Sequence, residues 1–88
     1  MSGREGTIDR AALVAFLTDE LALAPTEIAD DAPLVSSGRI DSFQLADLIA
    51  WVERRASISV PPGDVVLEHF DTVRRVLAYV RSRAGEIG

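Results

Sequence analysis

The stretch GRIDSFQLADLIAW, residues 38–51, decides how the rest of the chain is read. Asp41 is followed three residues later by Gln44. That is the pattern of a capping box, with the Asp carboxylate accepting from the Gln backbone N–H and the Gln side chain reaching back. With Asp41 as the cap, Ser42 becomes the first helical residue, and its hydroxyl is not needed to start the helix. Leu45, Leu48, Ile49 and Val52 recur at spacings of three and four, so a helix over 42–56 buries that face.

At about 100° per residue, Phe43, Ala46, Ala50 and Arg54 fall on the opposite side of this helix. Phe43 with two alanines makes a small apolar spot beside Ser42, bordered by Asp47 and Arg54. An exposed apolar spot next to a free hydroxyl suggests a surface on which partners dock. Ser42 also stands at the positive end of the helix dipole, where free backbone N–H groups stabilise a phosphate ester.

Working outward, Leu13, Phe16, Leu17 and Leu21 form one apolar stripe, predicting a first helix over 8–23. Thr7 is its expected cap, Asp9 lies in its first turn, and Pro25 is expected to stop it. A long connection over 24–40 follows, with Pro25, Pro33, Gly38 and the pair Asp30-Asp31; Ile28, Leu34, Val35 and Ile40 should pin it to the core. Connections of this length in a small domain are often functional. After the second helix, Ile58 and Val60 lead to the break Pro61-Pro62-Gly63. A short helical turn is expected over 64–68, and a last helix over 72–83, capped by Asp71 or Thr72, with Val73, Val76, Leu77 and Val80 inward. No segment alternates as a half-buried strand would. The expected fold is all-α, a small antiparallel four-helix bundle with three long helices and one short. It forms one domain over 1–88, with a core of about 7–83 and frayed ends.

Composition narrows the function. The 88 residues carry a net charge of −5, which disfavours nucleic acid, including binding by a helix-turn-helix of similar outline. There is no cysteine, so thiol chemistry would need a borrowed thiol. No apolar run is long enough to span a membrane and the N-terminus has no signal segment, so the expected location is cytoplasmic. Ser42 lacks the surroundings of a hydrolase nucleophile, because no G-x-S-x-G elbow is present and His69 is remote in sequence. His69 alone makes a poor metal site, and Asp30-Asp31 reads as a solvated loop pair. Trp51 is expected to be partly buried against the last helix or the loop, and Arg74, Arg75, Arg81 and Arg83 to form a solvated face.

The run Gly38-Arg39-Ile40-Asp41-Ser42-Phe43, with Leu45 and Leu48-Ile49, resembles the motif that opens the second helix of acyl carrier proteins. The resemblance extends over about residues 7–80 and takes in the long loop, Ile58 with Val60, and Phe70-Asp71-Thr72-Val73. It implies a non-catalytic protein with 4′-phosphopantetheine on Ser42, donated from coenzyme A by a phosphopantetheinyl transferase. Magnesium would be needed only for that transfer, with Asp41 supporting it, and the chain would hold no metal of its own. The cofactor thiol would hold an acyl or aminoacyl group as a thioester. Phe43, Ala46, Asp47, Ala50 and Arg54 would meet a loading ligase or acyltransferase and the downstream synthase or transferase enzymes.

The second helix departs from the pattern in two ways. Phe43 stands where Leu or Met is common, and Asp47 and Glu53 are balanced by Arg54 and Arg55, unlike the acidic helix of fatty-acid carriers. The expectation is a freestanding monomeric acyl carrier in polyketide or other specialised metabolite assembly. Asp41, where peptidyl carrier domains usually have Gly, still fits a freestanding aminoacyl carrier. A cofactor-free helical docking domain, with Ser42 as a cap only, is the alternative of another class.

Overall fold

A computed structural model describes residues 8–87, and all regular structure among them is helical. Four α-helices occur in the order α1 (Arg10–Asp19), α2 (Ser42–Ala56), α3 (Leu67–Phe70) and α4 (Val73–Ile87). Two 3₁₀ turns, Pro25–Glu27 and Pro62–Asp64, punctuate the connections. Helix α4 is the hub, packing against each of the other three. The expected helical bundle is therefore present, with α3 the short member.

One apolar cluster joins all four α-helices and the long first connection. Leu13, Phe16 and Leu17 enter it from α1, Leu48, Val52 and Ala56 from α2, Phe70 from α3, and Val73, Val76, Tyr79 and Val80 from α4. The loop anchors Ile28, Leu34 and Ile40 are as buried as the helical residues, and Val35 packs against them. Each large apolar side chain removed from water contributes about 1.5–3 kcal/mol. The long connection is therefore part of the core and not a tether.

Helix α1 is shorter than its periodicity predicts, ending at Asp19 rather than at residue 23. Leu21 and Leu23 are both buried. Two residues apart on a helix is about 200° around its axis, so one helical face cannot bury both. The chain instead turns through Ala22 in the left-handed region, φ 61°, and the Leu23 N–H donates to the Leu17 carbonyl at 3.1 Å. Pro25 opens the first 3₁₀ turn and does not stop the helix. The cap of α1 is Asp9, whose carboxylate accepts from the Ala12 N–H at 2.8 Å. The predicted cap, Thr7, lies outside the described residues.

The short helix also differs from its expected bounds. Residues 62–64 form the 3₁₀ turn and α3 begins only at Leu67, because burying Phe70 requires the helical turn to fall there. Helix α4 continues to Ile87, past the predicted end at Arg83. Thr72 caps it, its hydroxyl accepting from the Arg75 N–H at 3.1 Å. Asp71, the other capping candidate, is turned to the loop instead. Its Oδ1 accepts from the Val35 and Ser36 N–H groups at 2.8 and 2.9 Å, and its Oδ2 from the Ser36 hydroxyl at 2.7 Å.

Trp51 is half-buried and packs against the core, with its ring stacked on Phe16 of α1, centroids 4.7 Å apart. Asp30 and Asp31 are paired rather than merely solvated, Asp30 with Arg10 and Asp31 with Arg74. The Arg74 hydrogen bond holds the Asp31 carboxyl below the usual carboxylate range. Both pairs are exposed, so their contribution to stability is small.

Candidate functional site at the start of helix α2

The capping box forms as its residue types require. Asp41 Oδ1 accepts from the Gln44 N–H at 2.8 Å, and Gln44 Oε1 accepts from the Asp41 N–H at 3.0 Å. Helix α2 thus begins at Ser42. Gln44 also donates from its amide to the Leu21 carbonyl at 3.4 Å, which ties the helix start to the segment after α1.

Three exposed serines lie close together in sequence here, and their hydroxyls differ in what they do. Ser36 donates to Asp71 at 2.7 Å and Ser37 donates to the Pro33 carbonyl at 2.7 Å. The Ser42 hydroxyl makes no hydrogen bond among the described residues and faces solvent. It is free to be modified without breaking a bond that holds the fold. Asp41 beside it is exposed, with only one carboxylate oxygen used by the cap.

On the outer side of α2, Phe43 is 82% exposed, the most exposed of the large apolar side chains among the described residues. Ala46, Asp47 and Arg54 are exposed with it and Ala50 is half-buried, so these five residues share one accessible strip. Ser42 does not point along the strip's centre. One residue is about 100° of helix, which turns Ser42 towards the neighbouring flank. That flank is a largely apolar groove lined by Ser42, Leu45, Ala46, Ile49 and Ala50, with Glu53 at one end and Val65, just after the second 3₁₀ turn, on the far side. Val65, Val66 and Leu67 all stay exposed at this edge. The groove was missed in the sequence, although three consecutive apolar residues after Pro-Pro-Gly-Asp were a usable signal.

Behind the site, the start of α4 grips the loop. The Leu34 N–H donates to the Asp71 carbonyl at 2.6 Å and the Arg74 N–H to the Asp30 carbonyl at 3.0 Å, besides the three bonds to the Asp71 carboxylate. Burial alone would push the Asp71 carboxyl up, but the bonds from Ser36 and Val35 outweigh it, and the group titrates below its ordinary range. A lowered folded-state value means the stabilisation is complete above the unfolded value, about pH 4, and is lost as pH falls through the folded one. Urea midpoints measured down from pH 5 should therefore fall more steeply in the wild type than in Asp71→Asn, which removes this titration. Parallel curves would show that Asp71 contributes nothing to acid unfolding.

No group of three or more His, Asp or Glu side chains is placed to hold a metal ion among the described residues. His69 belongs to α3 and packs on Tyr79, with ring centroids 4.8 Å apart.

Residues 11–80 match the family described as "Phosphopantetheine attachment site". The chain belongs to the phosphopantetheine-binding carrier family. The carrier is 34% identical over 74 residues to a protein named acyl carrier protein from Amoebophilus asiaticus (strain 5a2), covering 84% of this chain and 90% of that one. It is 32% identical over 57 residues to a D-alanyl carrier protein from Abiotrophia defectiva, covering 65% of this chain and 72% of that one. Carriers of this family are not enzymes, and their prosthetic group is 4′-phosphopantetheine. Membership also implies dealings with a phosphopantetheinyl transferase and with biosynthetic enzymes. Among the described residues, no helix is long and apolar enough to cross a membrane.

Proposed function

We propose that this carrier bears its phosphopantetheine on Ser42 and ferries acyl groups between enzymes of a specialised pathway, such as polyketide assembly. The observation that carries the assignment is the free, exposed Ser42 hydroxyl at the capped start of α2. A phosphodiester at the first helical residue sits against N–H groups that have no partner within the helix. The bound group supplies a terminal thiol, which a chain without cysteine does not otherwise have, to hold cargo as a thioester. Asp41, with an unused carboxylate oxygen, supports the magnesium-dependent transfer from coenzyme A.

The apolar flank of Leu45, Ile49 and Val65 favours an acyl cargo with hydrocarbon character. A D-alanyl carrier among the relatives keeps an aminoacyl cargo as the second reading. The charge balance of Asp47 and Glu53 with Arg54 and Arg55 supports a specialised pathway, since partners need not be uniformly basic. The reading extends to a cytoplasmic monomer. Its partners are the transferase, a loading ligase or acyltransferase, and a downstream synthase or transferase.

The test is intact mass after incubation with coenzyme A, magnesium and a phosphopantetheinyl transferase of broad specificity. A gain of one phosphopantetheine supports the carrier reading. No gain in a folded sample would leave Ser42 as part of a cofactor-free docking surface. Transfer of an acyl against an aminoacyl group by candidate ligases then separates the two cargoes.

The strip at Phe43, Ala46, Asp47, Ala50 and Arg54 is the proposed partner surface. Phe43→Glu should change stability by no more than about 0.5 kcal/mol, because the ring is already in water. It should nevertheless slow transfer to and from partner enzymes, since a charge replaces the apolar contact. Unchanged kinetics with every partner tested would remove Phe43 from the docking surface.

A further inference from the structure

The Asp71 carboxylate is buried and belongs to no part of the site so far assigned, yet its partners lie at the base of the loop that delivers Ser42. It takes both N–H groups of Val35 and Ser36 and the Ser36 hydroxyl, 35 and 36 residues away in sequence. The loop it grips is closed on itself. The Ile40 N–H donates to the Leu34 carbonyl at 3.0 Å and the Gly38 N–H to the Val35 carbonyl at 3.0 Å. Arg39 Nη1 donates to the Pro33 carbonyl at 2.9 Å. Ile40, fully buried, is the last residue before the Asp41 cap. A rigid unit of residues 33–40 is thus fastened at one end to the start of α4 and at the other to the start of α2.

We infer that Asp71 is a positioning residue for the chemistry at Ser42: by fastening this loop it holds the Asp41-Ser42 helix start in the one arrangement that incoming enzymes engage. The inference rests on Ser42 being the point of attachment. No other side chain offers the Val35 and Ser36 N–H groups an acceptor among the described residues. Without the carboxylate the loop samples open arrangements in which Ile40 and the cap shift together. An enzyme that binds only the closed arrangement then sees an apparent affinity reduced by the fraction closed. The expected signature is a raised KM for the carrier with kcat little changed, because the bound complex is the same.

The experiment measures transferase kinetics on the full chain for the wild type and four variants, each checked for folded fraction by circular dichroism. Asp71→Ala should raise the KM for the carrier about tenfold, as a loop closed only about a tenth of the time requires. Asp71→Asn keeps an acceptor for the two N–H groups and a polar contact to Ser36, and should rescue most of that change. Ser36→Ala removes one bond of three and should fall between wild type and Asp71→Ala. Val80→Ala truncates a buried side chain nine residues further along, in the body of α4, and controls for lost stability alone; its KM should not move.

A folded Asp71→Ala with wild-type KM would overturn the inference, as would an equal rise in Val80→Ala. If Asp71→Ala does not fold, Ser36→Ala decides, and an unchanged KM there overturns it too. Failure to modify the wild type would be a different result, one that removes Ser42 as the attachment point.

Discussion

Ser42→Ala is expected to abolish phosphopantetheine attachment while leaving the bundle folded. The two halves of this result follow from separate facts. The fold does not need the hydroxyl, because Asp41 and Gln44 satisfy each other's backbone N–H groups and Ser42 contributes no hydrogen bond. Alanine at the first helical position is a good helix former, so stability should change by no more than about 0.5 kcal/mol. The proposed attachment at Ser42, in contrast, needs an oxygen at this position. Ser36 and Ser37 are the nearest hydroxyls in the chain, and each is already engaged, with Asp71 and with the Pro33 carbonyl. Intact mass of wild type and variant under the same transferase treatment reads both outcomes. A mass gain persisting in Ser42→Ala would move the attachment elsewhere, with Ser36 and Ser37 examined next.

The largest loss of stability is expected from Phe70→Ala. Phe70 is completely buried and is the largest such side chain in the core. Its ring lies 5.2 Å from that of Tyr79 at an angle of 54°, within the range of favourable aromatic pairs. Helix α3 is only four residues long, too short to persist on its own hydrogen bonds, and Phe70 is its buried residue. Truncation leaves a cavity and releases α3 together. The expected cost is about 3–5 kcal/mol, a large part of the roughly 5–15 kcal/mol that holds a domain folded. In a chain of this size the melting temperature should fall by on the order of 15–30 °C. A fall of under about 5 °C in a thermal melt would show that α4 and the loop repack over the site, and that Phe70 is not what fastens α3.

Much of the candidate site was legible before the fold was known, and the reason is its locality. A capping box is a contract between residues three apart, so Asp41 and Gln44 set the start of α2 at Ser42. The outward direction of Phe43 followed from helical geometry, since Leu48 and Val52 define the inward side and are fully buried. The groove beside Ser42 was not legible in the same way. Its far wall, Val65, comes from a different element, and only packing of the 3₁₀ turn beside α2 brings the two together.

Asp71 makes the same distinction inside one residue. Next to Thr72 and ahead of a helical stripe, it reads as a cap, and nothing local distinguishes the two candidates. Thr72 takes the cap, and Asp71 turns to N–H groups more than thirty residues back in the chain. Trp51 likewise found its partner on α1, at Phe16, through packing that no periodicity encodes.

What the sequence by itself determined is everything carried by short-range chemistry: the helical class, the start of α2, the inward stripes, and the free hydroxyl of Ser42. What only the tertiary structure decided is where those rules yield. Helix α1 stops at Asp19, against its own periodicity, because Leu21 and Leu23 must both leave water and one helical face cannot take them. The bonds that hold the loop and the groove beside Ser42 join residues far apart in sequence. Their energies exist only once the core has brought those residues together.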